Sequence, residues 1–207
     1  MAAISRTCRI RNPAVFICDL QEKFEKAIFE FPKIVTTTTK LLRAANTLNI
    51  PAYVTTQNRA RLGLTVPKLQ EYLKGPNVRV DHDKTLFSMV TPEIDALLPK
   101  PVKGEAPVDV ILVGIETHIC ITQTTLDLLE RGHRVYVVVD GVSSINPEER
   151  GIALARLRDA GAIVTTSESI LFEILGDASS QHFKAIMGLV KETKEETQEA
   201  LDKLSKI

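Results

Sequence analysis

The chain has 207 residues, of which 44% are hydrophobic and 25% charged, a composition suited to one globular domain with a substantial core. Its 26 Lys and Arg residues balance 26 Asp and Glu residues, so it lacks the basic excess of a nucleic-acid-binding surface, and the absence of Trp weakens base stacking as a mode of recognition. The three cysteines, Cys8, Cys18 and Cys120, form no CxxC pair, which points to free thiols in a reducing compartment rather than a disulfide framework.

The N-terminal stretch MAAISRTCRIRNP carries Arg6, Arg9 and Arg11 without an acid and has no apolar signal-peptide core. A mitochondrial presequence would suit the arginines, but the segment is short and runs straight into a strand. Ala14–Asp19 is a continuous β-branched and aromatic run, expected as a buried parallel strand ending in an acid. Ile34–Leu48 has helical spacing, and Pro51–Thr56 is a second strand after the break at Asn49. Val66–Leu73 is read as a short helix and Asn77–Asp81 as a third, more exposed strand, which places Lys84 just after it.

Thr91 caps a helix running to Leu98, with Pro92 in its first turn, and Lys100–Pro107 is a surface loop. Asp109–Ile115 is the most hydrophobic strand; at eight residues the apolar stretch Val108–Ile115 is too short to span a membrane. A helix is expected over Cys120–Arg131, closed by Gly132, then strand five at Arg134–Asp140. A helix over Pro147–Ala160, strand six at Ala162–Thr166, and helices over Ser167–Leu175 and Gln181–Val190 complete the pattern. The charged tail Lys191–Ile207 reads as a solvated or frayed helix.

Strands alternating with helices imply a parallel sheet covered on both faces. The expected fold is a single α/β domain over residues 1–207: a three-layer α/β/α, Rossmann-like arrangement with a six-stranded parallel sheet in the order 3-2-1-4-5-6. In such sheets ligands bind beyond the C-terminal strand ends at the switch point, here between strands one and four. Asp19 ends strand one, and Gly114–Cys120 follows strand four, so the two segments should face each other.

There is no GxGxxG or P-loop to cradle phosphates, no HExxH or Cys/His quartet for zinc, and no GxSxG elbow. Cys120 is the candidate nucleophile, because a helix N-terminus favours the thiolate, the nucleophilic form. By position alone it could equally be a buried structural cysteine. Asp19 could serve as proton acceptor and donor, or simply cap the turn after it. Lys84 beside the two would stabilise both anions; taken alone it reads as a surface lysine.

Three segments resemble those of the isochorismatase-like cysteine hydrolases, in the family's order. DLQEKF (Asp19–Phe24) resembles the D-x-Q-x-x-F opening, KTLFSM (Lys84–Met89) the lysine segment, and GIETHICITQT (Gly114–Thr124) the nucleophile segment. The resemblance runs from about Asn12 to Val190, and GIETHICITQTTLDLLERG, VVVDGVSS and TTSESILFEILGDA bring the chain nearest to the eukaryotic isochorismatase domain-containing proteins.

The resemblance implies a hydrolase acting on a small amide or carbamoyl compound, with Asp19, Lys84 and Cys120 as the catalytic set. The backbone N–H groups of Glu116 and Cys120 would form the oxyanion hole, and Gln21, Phe24, Thr117 and His118 would line the substrate site. It also implies a cis peptide between Ile115 and Glu116, and a homo-oligomer with late-helix residues such as Ile170, Leu171 and Ile174 as a candidate interface. Nicotinamidases of this superfamily carry a metal-binding acid/histidine cluster where this chain has TTQNRARLGLT (Thr55–Thr65), with no Asp or His; no metal or other cofactor is expected. Two alternatives stay open: a vinyl-ether hydrolase using Asp19, and a binding protein retaining the fold. The expected partner is a small molecule, with no nucleic acid and no membrane. The expected location is the cytoplasm, although Ser205-Lys206-Ile207 resembles the peroxisomal SKL address with Ile for Leu, a tripeptide that also arises by chance on a charged tail.

Overall fold

The structure, a computed structural model, describes residues 10–206. Arg6, Arg9 and Ile207, on which the targeting expectations rest in part, and Cys8 lie outside the described residues. The strands are β1 (Pro13–Cys18), β2 (Ala52–Gln57), β3 (Val78–Lys84), β4 (Asp109–Ile115), β5 (Arg134–Ser143) and β6 (Ile163–Thr165). They form one parallel sheet in the order β3-β2-β1-β4-β5-β6, as the alternation of elements implied. The helices are α1 (Phe31–Leu48), α2 (Arg59–Leu62), α3 (Pro67–Gln70), α4 (Pro92–Leu97), α5 (Thr122–Glu130), α6 (Pro147–Asp159), α7 (Ser167–Leu175), α8 (Phe183–Glu192) and α9 (Lys194–Leu204). Among the described residues no helix is long and apolar enough to cross a membrane.

The alternation of side chains along a strand divides the core in two. Val15 and Ile17 of β1 join Ile111 and Val113 of β4 in one cluster, under α1 and α7–α9. Ala14, Phe16 and Cys18 point the other way, into a cluster with Val110 and Leu112 and the helices α4–α6. Central strand β4 is buried along its whole length and β1 from Ala14 onward, which is why both read as unbroken apolar runs. Edge strand β3 alternates, as an edge should, and continues to Lys84 as its last residue. Lys84 is therefore held by the sheet rather than by the loop beyond it. Strand β5 also outruns its expected end at Asp140: its register against β4 slips between Leu112 and Gly114, and pairing resumes at Val142 and Ser143.

Three expectations are corrected. The charged tail is not solvated. Thr197, Ala200 and Leu204 lie on one buried face of α9, against α1 and β5, with the charges turned outward. Lys40 Nζ donates to Thr197 Oγ1 at 2.8 Å, and the buried Arg150 guanidinium donates to the Leu204 carbonyl at 2.7 Å and to Val139 and Val142. Ile170 and Leu171 are not surface residues; they are fully buried in the core, and Ile174 packs against it. The helix after β4 does not begin at Cys120. A π-helical turn over Thr117–Ile121 comes first, closed by an Ile121 N–H to Glu116 carbonyl bond of 3.2 Å. That wider turn absorbs the residues between strand end and α5, and it puts Cys120 inside the first helical turn.

Candidate active site

The site grows from the ends of four adjacent strands, β3, β2, β1 and β4. β1 runs straight to Cys18, and then Asp19 turns the chain with a left-handed φ of 55° while its N–H still donates to the Thr55 carbonyl. Asp19 is buried, yet each carboxylate oxygen has a donor, as a buried anion requires. Thr55 Oγ1 donates to Oδ1 at 2.8 Å, Lys84 Nζ to Oδ2 at 2.7 Å, and the Cys18 thiol to Oδ2 at 3.4 Å. Lys84 is equally enclosed. Its ammonium also donates to Gln57 Oε1 at 2.8 Å and to the carbonyls of Leu86 and Phe87 at 3.1 and 3.2 Å. Burial works to depress its pKa, but the acidic groups of Cys18, Asp19 and Cys120 outweigh that, and the net shift is upward; Lys84 is a cation at neutral pH.

From the neighbouring strand β4 comes Cys120. Its sulfur, the Cys18 sulfur and a carboxylate oxygen of Asp19 all lie within 4.8 Å of one another. Gly114 makes this approach possible. It has a φ of 136°, and a β-carbon there would stand 2.2 Å from the Cys18 carbonyl oxygen and 2.7 Å from its Cβ. Cys18 is buried, and its thiol is pushed well above the ordinary range by desolvation first, then by its hydrogen bond with Cys120 and the charge of Asp19. Cys18 stays a thiol.

Glu116 makes the turn out of β4. The cis peptide expected before it is absent: all peptide bonds among the described residues are trans, and the reversal is achieved by φ 57° and ψ 68° at Glu116. The Glu116 carboxylate faces the Ile145 N–H at 3.5 Å and His118 Nδ1 at 3.4 Å, while His118 Nδ1 also meets Ser144 Oγ at 3.1 Å. Both partners meet the same ring nitrogen, so this is not the Glu-His-Ser relay of a serine hydrolase, which needs one partner on each nitrogen. Burial holds the Glu116 carboxyl above its usual range.

The structure thus brings Asp19, Lys84 and Cys120 together and leaves His118 half-buried on the turn that carries Cys120, bonded to Ser144. The other three residues expected to line the substrate site have different surroundings. Gln21 is buried with its amide committed to backbone: it donates to the carbonyls of Gln57 and Gly63 and accepts from the Gln57 N–H, tying the loop after β1 to the end of β2. Phe24 packs on the core beneath α1. Thr117 is fully buried, with a hydroxyl that has no partner among the described residues.

Sequence reasoning missed Cys18, Thr55 and Gln57. The signal for the latter two is the polar end, Thr55-Thr56-Gln57, of an otherwise apolar strand beside β1. Around the site lie exposed apolar side chains: Leu86 and Phe87 after Lys84, and Ile145 after β5.

The thiols of Cys18 and Cys120 with the Asp19 carboxylate form a donor set suited to a soft metal ion. The ammonium of Lys84, 2.7 Å from that carboxylate, already supplies the positive charge, and a second cation there would be repelled. The β3 acids beside Thr55–Thr65 are also occupied: Asp81 pairs with Arg59 at 2.6 Å, and Asp83 accepts from Thr56 and from the Arg59 N–H.

Comparison with known proteins agrees with this architecture. The isochorismatase domain matches residues 13–169. The chain is 41% identical over 182 residues to isochorismatase domain-containing protein 2 of Xenopus laevis, covering 88% of this chain and 85% of that protein. Among solved structures it is similar to the MAR1 ribonuclease of Caenorhabditis elegans, with 45% identity, TM-score 0.81 and coverage of 89% and 93%. It is also similar to YcaC of Pseudomonas aeruginosa, solved with hexane-2,5-diol and covalent acrylamide, with 26% identity, TM-score 0.73 and coverage of 91% and 94%. A domain match spanning most of the chain, together with relatives above 40% identity along most of its length, makes this protein a member of the isochorismatase family of hydrolases.

Proposed function

We propose that the chain hydrolyses a C–N bond of a small amide or carbamoyl compound through a thioester on Cys120. The observation that carries this reading is the meeting of Asp19, Lys84 and Cys120, from the ends of β1 and β3 and the turn after β4, all three buried. Asp19 takes the Cys120 proton, and the thiolate attacks the substrate carbonyl carbon. The oxyanion is stabilised by the backbone N–H groups of Glu116 and Cys120. Asp19 returns the proton to the departing nitrogen as the C–N bond breaks. It then takes a proton from water, whose oxygen attacks the thioester, and the acid leaves as the Cys120 thiol is restored. Lys84 holds the Asp19 carboxyl in place through its 2.7 Å hydrogen bond and offsets the charge of the thiolate.

His118, half-buried and bonded to Ser144, lies on the same π-helical turn as Cys120 and is assigned to substrate recognition. The reading calls on no cofactor. The covalent acrylamide on the Pseudomonas relative supports a reactive nucleophile in this fold. One observation favours a second reading: the Asp19–Lys84 pair is complete without the thiol, which suits acid-catalysed ether cleavage.

The test is a panel of small amides and carbamoyl compounds, a vinyl ether, and RNA as the substrate suggested by the name of the nematode relative. Mass spectrometry of the wild type, quenched in acid during turnover, follows, to detect an acyl group on Cys120. Amide turnover lost in Cys120→Ala supports the thioester. Ether turnover retained in Cys120→Ala transfers the assignment to Asp19 alone. RNA cleavage without amide turnover refutes the proposal.

A further inference from the structure

The mechanism above uses one thiol, yet the site contains two. Cys18 is the last residue of a rigid central strand, wholly buried, and its sulfur lies within 4.8 Å of the Cys120 sulfur. The Cys18 thiol also donates to Asp19 Oδ2 at 3.4 Å, so a base stands beside the second sulfur as well. We propose that Cys18 is a resolving cysteine: on exposure to a hydroperoxide it forms a reversible disulfide with Cys120, which switches the site off and shields Cys120 from irreversible oxidation.

The asymmetry of the two thiols sets the order of events. Cys120 is the residue with some solvent exposure, at 6% against 0% for Cys18. It reacts first. Its sulfur attacks an oxygen of hydrogen peroxide, the O–O bond breaks, and the products are a sulfenic acid on Cys120 and one water. Cys18, held as a thiol by burial, then gives its proton to Asp19 as its sulfur attacks the sulfenic sulfur. The S–O bond breaks, and the hydroxide leaves as a second water with that proton. Two thiols lose two electrons, and one peroxide is reduced to two waters.

The sulfurs must close to about 2.05 Å. Cys18 sits in the sheet, so the movement falls on Cys120, whose π-helical turn is the irregular part of the site. Loss of activity on oxidation rests on the assignment of Cys120 as nucleophile; formation of the bond does not.

The test uses the full chain, treated with hydrogen peroxide, blocked with N-ethylmaleimide and digested with trypsin without reduction. In the wild type, peptide Asn12–Lys23 should appear joined to Gly104–Arg131, and dithiothreitol should release both. Cys18→Ser keeps a hydroxyl that can bond Asp19 but cannot cross-link. In that variant Cys120 should accumulate sulfinic and sulfonic acid several-fold faster than in the wild type. Cys18→Ala, checked for folding by circular dichroism, should behave alike. Overoxidised Cys120 in the wild type with no cross-linked peptide would overturn the proposal, as would a Cys120 disulfide to Cys8 or to a second chain. A Cys120 that labels readily but never cross-links refutes the switch alone. A Cys120 that forms the disulfide in a protein with no amide turnover refutes the hydrolase reading alone.

Discussion

Replacing Lys84 by Met tests the buried ion pair on which the proposed chemistry depends. Both side chains of the pair are 1% exposed, and the Nζ–Oδ2 distance is 2.7 Å. At an effective dielectric of about 20 the attraction is roughly 6 kcal/mol, much of which offsets the desolvation of the two charges. Removing one partner leaves the other charge buried, and such losses run to about 3–5 kcal/mol. Met preserves most of the stem volume, so cavity formation adds little. Urea unfolding of Lys84→Met, Asp19→Asn and the double variant separates the terms. Lys84→Met should lose about 3–5 kcal/mol, and the double variant should lose clearly less than the sum of the singles. Iodoacetamide labelling of Cys120 at pH 7 should slow in Lys84→Met, since the cation that offsets the thiolate charge is gone. A loss below about 1 kcal/mol with additive singles would mean that the pair behaves as an exposed one, and the enclosed site described above would be wrong.

Alkaline stability follows from the raised Cys18 and Lys84 groups: above the ordinary thiol pKa of ~8.5 the unfolded chain releases a proton that folded Cys18 retains, so stability should fall as pH rises from there, less steeply in Cys18→Ala, with Lys84 adding its part above ~10.4. Thermal melts between pH 7 and 11 check this, and a flat profile would refute it. Gly114→Ala should destabilise by several kcal/mol, on the order of 3 or more, or prevent folding, because the added carbon meets the Cys18 backbone at 2.2 Å; a variant as stable as the wild type would contradict the close approach. Elemental analysis should find no stoichiometric zinc, iron or manganese in protein purified without added metal, and chelators should leave activity unchanged; metal lost together with activity would reverse the reading of Lys84. Light scattering should give a mass above the 22.9 kDa of one chain, with exposed Leu86, Phe87 and Ile152 as the apolar surface to mutate; a monomer at micromolar concentration would refute it.

Much of the fold was legible because its causes are local. Unbroken apolar runs announced the buried strands β1 and β4, and alternation announced the edge strand β3. Thr91, which accepts from the Ile94 N–H, and Gly132, at φ 85°, marked helix ends by their own side-chain and backbone preferences. The α9 tail was misread because its few small and apolar positions, Thr197, Ala200 and Leu204, are diluted among charges; only the presence of α1 and Arg150 shows which face is buried.

At the site, the family resemblance picked out Asp19, Lys84 and Cys120 by motif, and the sheet order explains how residues 65 and 101 positions from Asp19 can meet it. Cys18 could not be recognised as their neighbour from the chain alone. A cysteine ending an apolar strand looks like any other core residue, and its direction is set by the parity of the strand and by what packs over that face. Parallel register places Cys18 opposite Gly114, the glycine admits its backbone, and the π-helical turn brings Cys120 down onto it. Composition and periodicity along the chain determine which segments become strands and helices, because those signals are carried by neighbours in sequence. The pairing of the two sulfurs around one carboxylate was decided by tertiary structure, because it depends on register and approach between segments a hundred residues apart.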